Sequence, residues 1–433
     1  ESLVFERALA SMASTLPSHL TLLTGLYPHQ HGMTSNRRGA SVPFVSELGR
    51  LSAATVLAQC GYRTAAFVSA SPLSLTTGIQ AGFETYSFRE RSTASRQRAG
   101  ETNALVFEWL ERHAAEPGPL FLWLHYFDTH EPNDPPPPYD TRYTTDERQR
   151  QWIRARGIDP AALEQRYSHS SSARRHFLRN PPELARDEEK PGKLRVTLDS
   201  VAELMNRYDG SLSYLDENLG ALFDALRRHG LYHEALIVVV GDHGQSLGEN
   251  TWLGHGTITN VNTFVPLLLR LPDSLALAPQ RIATLVSLTD VLPTLLARFE
   301  LPNSELLRGQ IEGEDVLSGT FARDFALTER TADAPKDGES GRQFALLSGS
   351  WKYIHRPEGK DELYDLGAGG EFVDVLAQHP EVGARLRAET LTLLARRPAL
   401  LEEARGAVDA QLLESLEDLG YGGADEASTD DGE

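Results

Sequence analysis

The sequence predicts an α/β protein with a mostly parallel central sheet between helices and a small C-terminal antiparallel sheet subdomain. Three observations carry that expectation. Short apolar runs at Phe121–Tyr126, Ala235–Val240 and Phe264–Leu271 alternate with helical spacing at Leu212–His229 and Leu288–Glu300, the pattern of strands covered by helices on both faces. The β-branched run to Val240 passes straight into Gly241-Asp242-His243-Gly244, and ligands of such sheets sit beyond the carboxyl ends of the strands. From Phe344 the texture changes to short pieces separated by turns. Phe344–Leu347, Trp351–Arg356 and Glu362–Leu366 read as an antiparallel sheet, with a helix over Glu381–Leu394 behind it.

In chain order, the first element is a short helix over Pro17–Thr24. Pro17 suits its first position and Gly25 the left-handed residue past its end. Thr15 then stands just ahead of an N-terminus whose unpaired N–H groups favour an anion, with a hydroxyl suited to attack phosphorus or sulfur. Read by itself, the pattern also describes a capped helix without chemistry. Phe121–Tyr126 reads as a buried strand leading to Phe127-Asp128-Thr129-His130-Glu131-Pro132. His130 is suited to donate to a substrate oxygen; His125 reads as a core histidine, and His29 and His31 as structural.

The loop Asn133-Asp134-Pro135-Pro136-Pro137-Pro138 excludes a helix or a central strand. Behind it, residues 141–200 carry thirteen basic and nine acidic side chains and read as an inserted, partly helical excursion. Leu212, Leu215, Leu219, Leu222, Phe223 and Leu226 follow helical spacing up to Gly230. Asp242 and His243 are reasonable ligands for a divalent metal, and equally compatible with a polar turn. His255 follows in Leu253-Gly254-His255-Gly256.

Composition sets the outer limits. The 433 residues are 40% apolar and 24% charged, ordinary for a globular chain with a sizeable core. A net charge of −19 argues against non-specific nucleic-acid binding. Eleven acidic residues and one basic residue fall in 402–433, a stretch that reads as a disordered tail, so the total says little about any site. One cysteine, Cys60, excludes an internal disulfide and a cysteine-built metal site. No apolar run is long enough to span a membrane.

The ordered set Thr15-Leu16-Pro17-Ser18-His19, Leu23-Thr24-Gly25, Tyr27-Pro28-His29-Gln30-His31-Gly32, Asp128-Thr129-His130-Glu131-Pro132 and Asp242-His243-Gly244 resembles the sulfatase family of the alkaline phosphatase superfamily. Val286–Leu295, Trp351-Lys352-Tyr353-Ile354, Glu362–Leu366 and Leu416–Tyr421 are similar to its later landmarks. The resemblance spans nearly the whole chain except 141–200 and the acidic tail. It implies a catalytic domain over 1–330, a smaller α+β subdomain over 331–401 and a tail over 402–433. It also implies hydrolysis of sulfate or phosphate esters with one divalent ion (Ca, Mn, Mg or Zn), or two.

By match, Thr15 takes the nucleophile's place and, with Asp242 and His243, a place at the metal. His130 matches the histidine on the transferred group, His255 falls near a further basic residue, and His19 stands where the family has arginine. The implied substrate is a small-molecule, glycan or lipid ester, in a periplasmic or extracellular setting. Three departures shape the expectation. A threonine cannot yield formylglycine, which favours direct attack and a covalent intermediate, as in phosphodiesterase-like or phosphoglycerol-transferase-like relatives. Asn260-Val261-Asn262-Thr263 replaces a Tyr-Glu-Glu-like segment. The family's early aspartate pair does not precede Thr15, so an N-terminally truncated chain is expected, with a catalytically incompetent fragment or pseudoenzyme as the rival expectation. A binding module for anionic polymers through 141–200 is the third.

Overall fold

The computed structural model describes residues 2–36, 52–74, 77–88, 97–168, 194–299, 311–332 and 341–396. Strand β1 (Leu3–Leu9) leads into helix α1 (Thr15–Thr24) and the single turn α2 (Pro28–His31). Helix α3 (Ala53–Gln59), strands β2 (Arg63–Val68) and β3 (Thr85–Phe88), helix α4 (Ala99–His113) and strand β4 (Leu120–Leu124) follow. Two helices, α5 (Glu147–Ala155) and α6 (Pro160–Ser168), precede the long α7 (Leu198–Arg228). Then come β5 (Ile237–Val240), the small hairpin of β6 (Ser246–Leu247) and β7 (Leu253–Gly254), β8 (Phe264–Arg270), β9 (Gln280–Ser287) and α8 (Val291–Arg298). Strands β10 (Ala326–Ala332), β11 (Gly341–Ser348), β12 (Trp351–His355) and β13 (Glu362–Asp365) and helix α9 (Pro380–Ala395) complete the series.

The strands form α/β layers of the expected kind. One sheet has the order β5-β8-β1-β9 and another the order β3-β2-β4. Strand β2 is parallel to both its neighbours and β1 is parallel to β9. Strand β8 runs antiparallel to β1 and β5, a direction that the apolar run Phe264–Leu271 could not reveal. The third sheet is an antiparallel meander, β10-β11-β12-β13, with one strand more than the sequence pattern showed. Strands β4 and β5 lie at the edges of their sheets among the described residues. Both are half-buried, so the buried strand expected at Phe121–Tyr126 is corrected to a partly covered edge.

Apolar side chains glue these layers together. Leu16, Leu20 and Leu23 of α1 pack with Leu292 and Leu296 of α8 and with Val68 and Leu73; each fully buried leucine contributes about 1.5–3 kcal/mol. Trp109 and Leu110 of α4, Leu222 and Leu226 of α7 and Phe67 of β2 form a second cluster. Helix α7 is 31 residues long, about 46 Å at the helical rise, and only its second half was legible. Its first half buries Val201, Leu204 and Met205 against Ile153, Leu163 and Tyr167 of the inserted segment, so its partner changes midway and the apolar stripe shifts. Leu212, placed on the apolar face by spacing, is 47% exposed. The excursion is partly helical as expected; its residues 169–193 and the tail 402–433 lie outside the described residues.

Candidate active site

Helix α1 sets one wall of the site. It begins at Thr15, two residues earlier than Pro17, so Thr15 is its first residue rather than the one before it. Gly25 ends it with φ 68° and its N–H bonded to the Thr21 carbonyl. That left-handed conformation favours glycine, and a Cβ there would also crowd the Ile311 side chain at 3.0 Å. Thr15, Ser18 and His19 are spaced i, i+3 and i+4 and share one face of the first turn. All three are buried.

That face meets the end of β5. Ser18 Oγ donates to the Asp242 carbonyl at 2.6 Å, and His19 Nε2 stands 3.6 Å from Asp242 Oδ2. The Asp242 carboxylate also accepts from the His243 backbone N–H at 2.9 Å. The end of β4 supplies His125 and His130. His125 accepts at Nδ1 from the Ser69 N–H, 3.3 Å away, as a structural histidine would, yet its ring also lies edge-on to His19 at 5.0 Å. His130 stacks on Phe127 at 4.2 Å and meets His255 Nε2 to Nε2 at 3.1 Å. His255 in turn stacks on His243 at 4.2 Å.

Five imidazoles and one carboxylate thus gather where α1, β4 and β5 meet. Thr15, His19, His130, Asp242, His243 and His255, all picked from sequence, fall in this one neighbourhood; Ser18, His125 and Asn262 were missed. Nothing in the sequence marks Ser18 or His125 apart from their place beside picked residues.

Backbone carbonyls fix the histidines' tautomers. His243 Nδ1 faces the Gly244 carbonyl at 2.9 Å, His130 Nδ1 the Glu131 carbonyl at 2.6 Å and His255 Nδ1 the Ala13 carbonyl at 3.0 Å. A carbonyl only accepts, so each Nδ1 carries the proton and each Nε2 offers its lone pair. For His130 and His255 those lone pairs face each other, an arrangement relieved when one proton is shared between them. Burial pushes both histidines below the usual range, His255 down to about 3 with His243 and His130 adding to the effect. The pair therefore takes up a proton most readily when an anion arrives to balance the charge. Burial, and then His19, take His125 down to about 3. Burial alone would raise Asp242, but His243, His19 and His125 outweigh it and hold the carboxyl well below the usual range.

The donor chemistry at Asp242 and His243 suits a divalent ion. His243 Nε2 and Asp242 Oδ2 lie 3.5 Å apart, close enough for one cation to be held by both. The Nδ1 contact to a carbonyl is the support that metal-bound imidazoles use. Neither ring nitrogen of His19 has a hydrogen-bond partner among the described residues. Among those residues no group of three or more His, Cys, Asp or Glu side chains is set to hold an ion, so Asp242 and His243 are a partial donor set.

The loop beyond His255 is closed by Asn262. Its Nδ2 donates to the Gly254 carbonyl at 3.2 Å, and its Oδ1 accepts from the Thr257 N–H at 3.1 Å. Gly244 crosses this loop closely, donating its N–H to the Asn262 carbonyl at 2.8 Å. A Cβ on Gly244 would lie 2.1 Å from the Val261 carbonyl oxygen.

A family model described as Sulfatase matches residues 1–301. The chain belongs to the sulfatase family, within the alkaline phosphatase superfamily. It is 29% identical over 187 residues to the choline-sulfatase of Rhizobium meliloti (strain 1021), covering 43% of this chain and 35% of that protein. It is 30% identical over 163 residues to the lipoteichoic acid synthase-like YvgJ of Bacillus subtilis (strain 168), covering 33% of this chain and 26% of that one. The alignments therefore span only about a quarter to a third of these relatives' lengths. The phosphonate monoester hydrolase of Agrobacterium radiobacter has the same fold, with a TM-score of 0.67 at 19% identity, over 91% of this chain and 88% of that one. Sulfatase-family proteins generally depend on a metal ion. No helix among the described residues is long and apolar enough to cross a membrane.

Proposed function

We propose that this sulfatase-family chain is a metal-dependent hydrolase of sulfate or phosphate esters, acting on a small-molecule, glycan or lipid ester outside the cytoplasm. What supports the reading is that Asp242 meets the first turn of α1, which opens at Thr15, while His243, His255 and His130 stack and pair in series beside it. Ser18 holds that turn to Asp242 and His19 faces its carboxylate, and His255 is tied to the Ala13 carbonyl two residues before Thr15. The catalytic unit is the 1–330 segment, with 331–401 as a supporting subdomain.

Thr15 is the nucleophile in this reading. Its hydroxyl gives up its proton as the oxygen attacks the sulfur or phosphorus, the bond to the ester oxygen breaks and that oxygen leaves, protonated, as the alcohol; water later cleaves the remaining Thr15 ester. The helix N-terminus and the proton shared by His130 and His255 offset negative charge on the transferred group as it develops. Asp242 and His243, with the Thr15 hydroxyl, would hold one divalent ion. When bound, such an ion lowers the pKa of a hydroxyl and offsets charge on ester oxygens.

The test compares turnover of 4-nitrophenyl sulfate, a phosphate monoester, a phosphodiester and a phosphonate monoester by the parent and by Thr15→Ala. Loss of turnover on the preferred ester, with folding intact, supports the assignment; full activity of the variant on every ester removes Thr15 from it. Should only an alcohol acceptor release the enzyme-bound group, the activity is that of a transferase.

A further inference from the structure

The loop that carries His255 follows β7 and leads into β8, yet its polar groups are tied to the third sheet. Lys352, near the start of β12, is fully buried. Its Nζ donates to the Ile258 carbonyl at 2.5 Å, to Asn260 Oδ1 at 3.0 Å and to the Glu371 carboxylate. The second Glu371 oxygen accepts from the Asn260 N–H at 2.8 Å. All three ammonium donors are thus used. Ile258 itself packs on Ala345, Ile354 and Tyr364 of the same sheet. From this anchor, Asn262 reaches back to Gly254 and Thr257, the residues that bracket His255.

A buried ion pair is a poor way to gain stability, because desolvation offsets most of the attraction and apolar replacements are often neutral or better. Its distinctive product is geometry: three directed bonds fix where the Ile258–Asn260 backbone sits. We propose that Lys352, paired with Glu371, is a positioning residue that sets His255 against His130 from across the sheet boundary. This rests on the ester-hydrolase reading for its effect on rate, but the effect on the imidazoles stands without it.

The test uses the full chain labelled with 15N at histidine, and the variants Lys352→Met/Glu371→Gln and Asn260→Ala. The double variant removes both charges together, so no lone buried charge is left; Asn260→Ala, in a half-buried turn, decides the matter if the double variant does not fold. Ring-nitrogen spectra, with His255→Gln for assignment, should show the His255 and His130 signals shifted or split in both variants, while His113 and His29 keep theirs. On whichever ester the parent turns over, kcat should fall about 10–100-fold with KM within twofold, the scale expected when a reacting group is displaced by about an ångström. Unchanged His255 and His130 signals in folded variants would overturn the proposal, whatever happens to the rate. If the parent cleaves none of the esters, the hydrolase reading fails and the ring spectra alone decide the role of Lys352.

Discussion

Two buried polar regions of this molecule are built on opposite terms. At the junction of α1, β4 and β5, His19 has no hydrogen-bond partner for either ring nitrogen among the described residues, and two imidazoles face each other Nε2 to Nε2 at His130–His255. In the framework between α8 and the third sheet, Asp290 accepts from the Ser287 N–H, the Glu314 N–H and Arg323. Both regions are largely buried, although the Asp242 side chain is 21% exposed and that of Asp290 1%. The Asp290 carboxylate is met by three donors of its own framework, whereas both ring nitrogens of His19 are left for something that arrives. An unsatisfied buried imidazole costs stability, and at His19 that cost falls beside Asp242 and His125.

The sharpest way to break this comparison is to exchange the expected consequences. Thr15→Ala should lower kcat by at least about 10³-fold, as loss of a nucleophile does, and leave the thermal midpoint within a degree or two. A large fall in the midpoint at undiminished kcat would place Thr15 in the framework. Next comes Arg323→Met, which strands the Asp290 carboxylate, 1% exposed, without its cation. Breaking such a pair costs about 3–5 kcal/mol, read as a lower urea midpoint; a loss below about 1 kcal/mol would show that the framework is not held as described.

Acid should act mainly through the site. Unfolded histidines begin to bind protons near pH 6.5, whereas His125 in the folded state waits until about 3 because of burial and then His19. His19 and His130 are lowered in the same direction, first by burial. The unfolded chain therefore gains protons that the folded one refuses, so stability is complete above about pH 6.5 and declines as pH falls toward 3. Asp242, held low, adds stability present above its unfolded value near 3.9 and lost below it, which steepens the same decline. Thermal midpoints measured from pH 7 to pH 4 should fall for the parent and fall less for His125→Phe; identical slopes would remove His125 from the account. The smallest effect belongs to the surface. Arg112 and Glu108 pair at 2.5 Å one turn apart on α4 with both side chains mostly exposed, and Glu108→Ala should shift urea stability by under about 0.5 kcal/mol.

What the sequence disclosed was local. Pro17 and Gly25 located α1, and the run to Val240 located the strand that delivers Asp242 and His243, because caps and short-range periodicity act within a few residues. The picked site residues fell together because Thr15 opens α1 with His19 one turn on, while Asp242, His243 and His255 closely follow strand ends. What it hid depends on distance along the chain. The direction of β8 is set by its neighbours in space. The first half of α7 buries its apolar residues against a different partner. Lys352 read only as part of a strand-like motif, although it reaches Asn260, 92 residues away. Ser18 and His125 look like any serine or histidine until α1 and β4 are brought together.

Gly244 adds an evolutionary and engineering consequence. It owes its identity to the 2.1 Å gap that a Cβ would have to occupy beside Val261, so a saturation library at that codon should return the parent alone among active clones. The segments 242–244 and 260–262 consequently cannot drift independently. A designer wishing to reshape the mouth of the site by rebuilding the second segment inherits the first, and grafts between relatives should succeed only when both travel together.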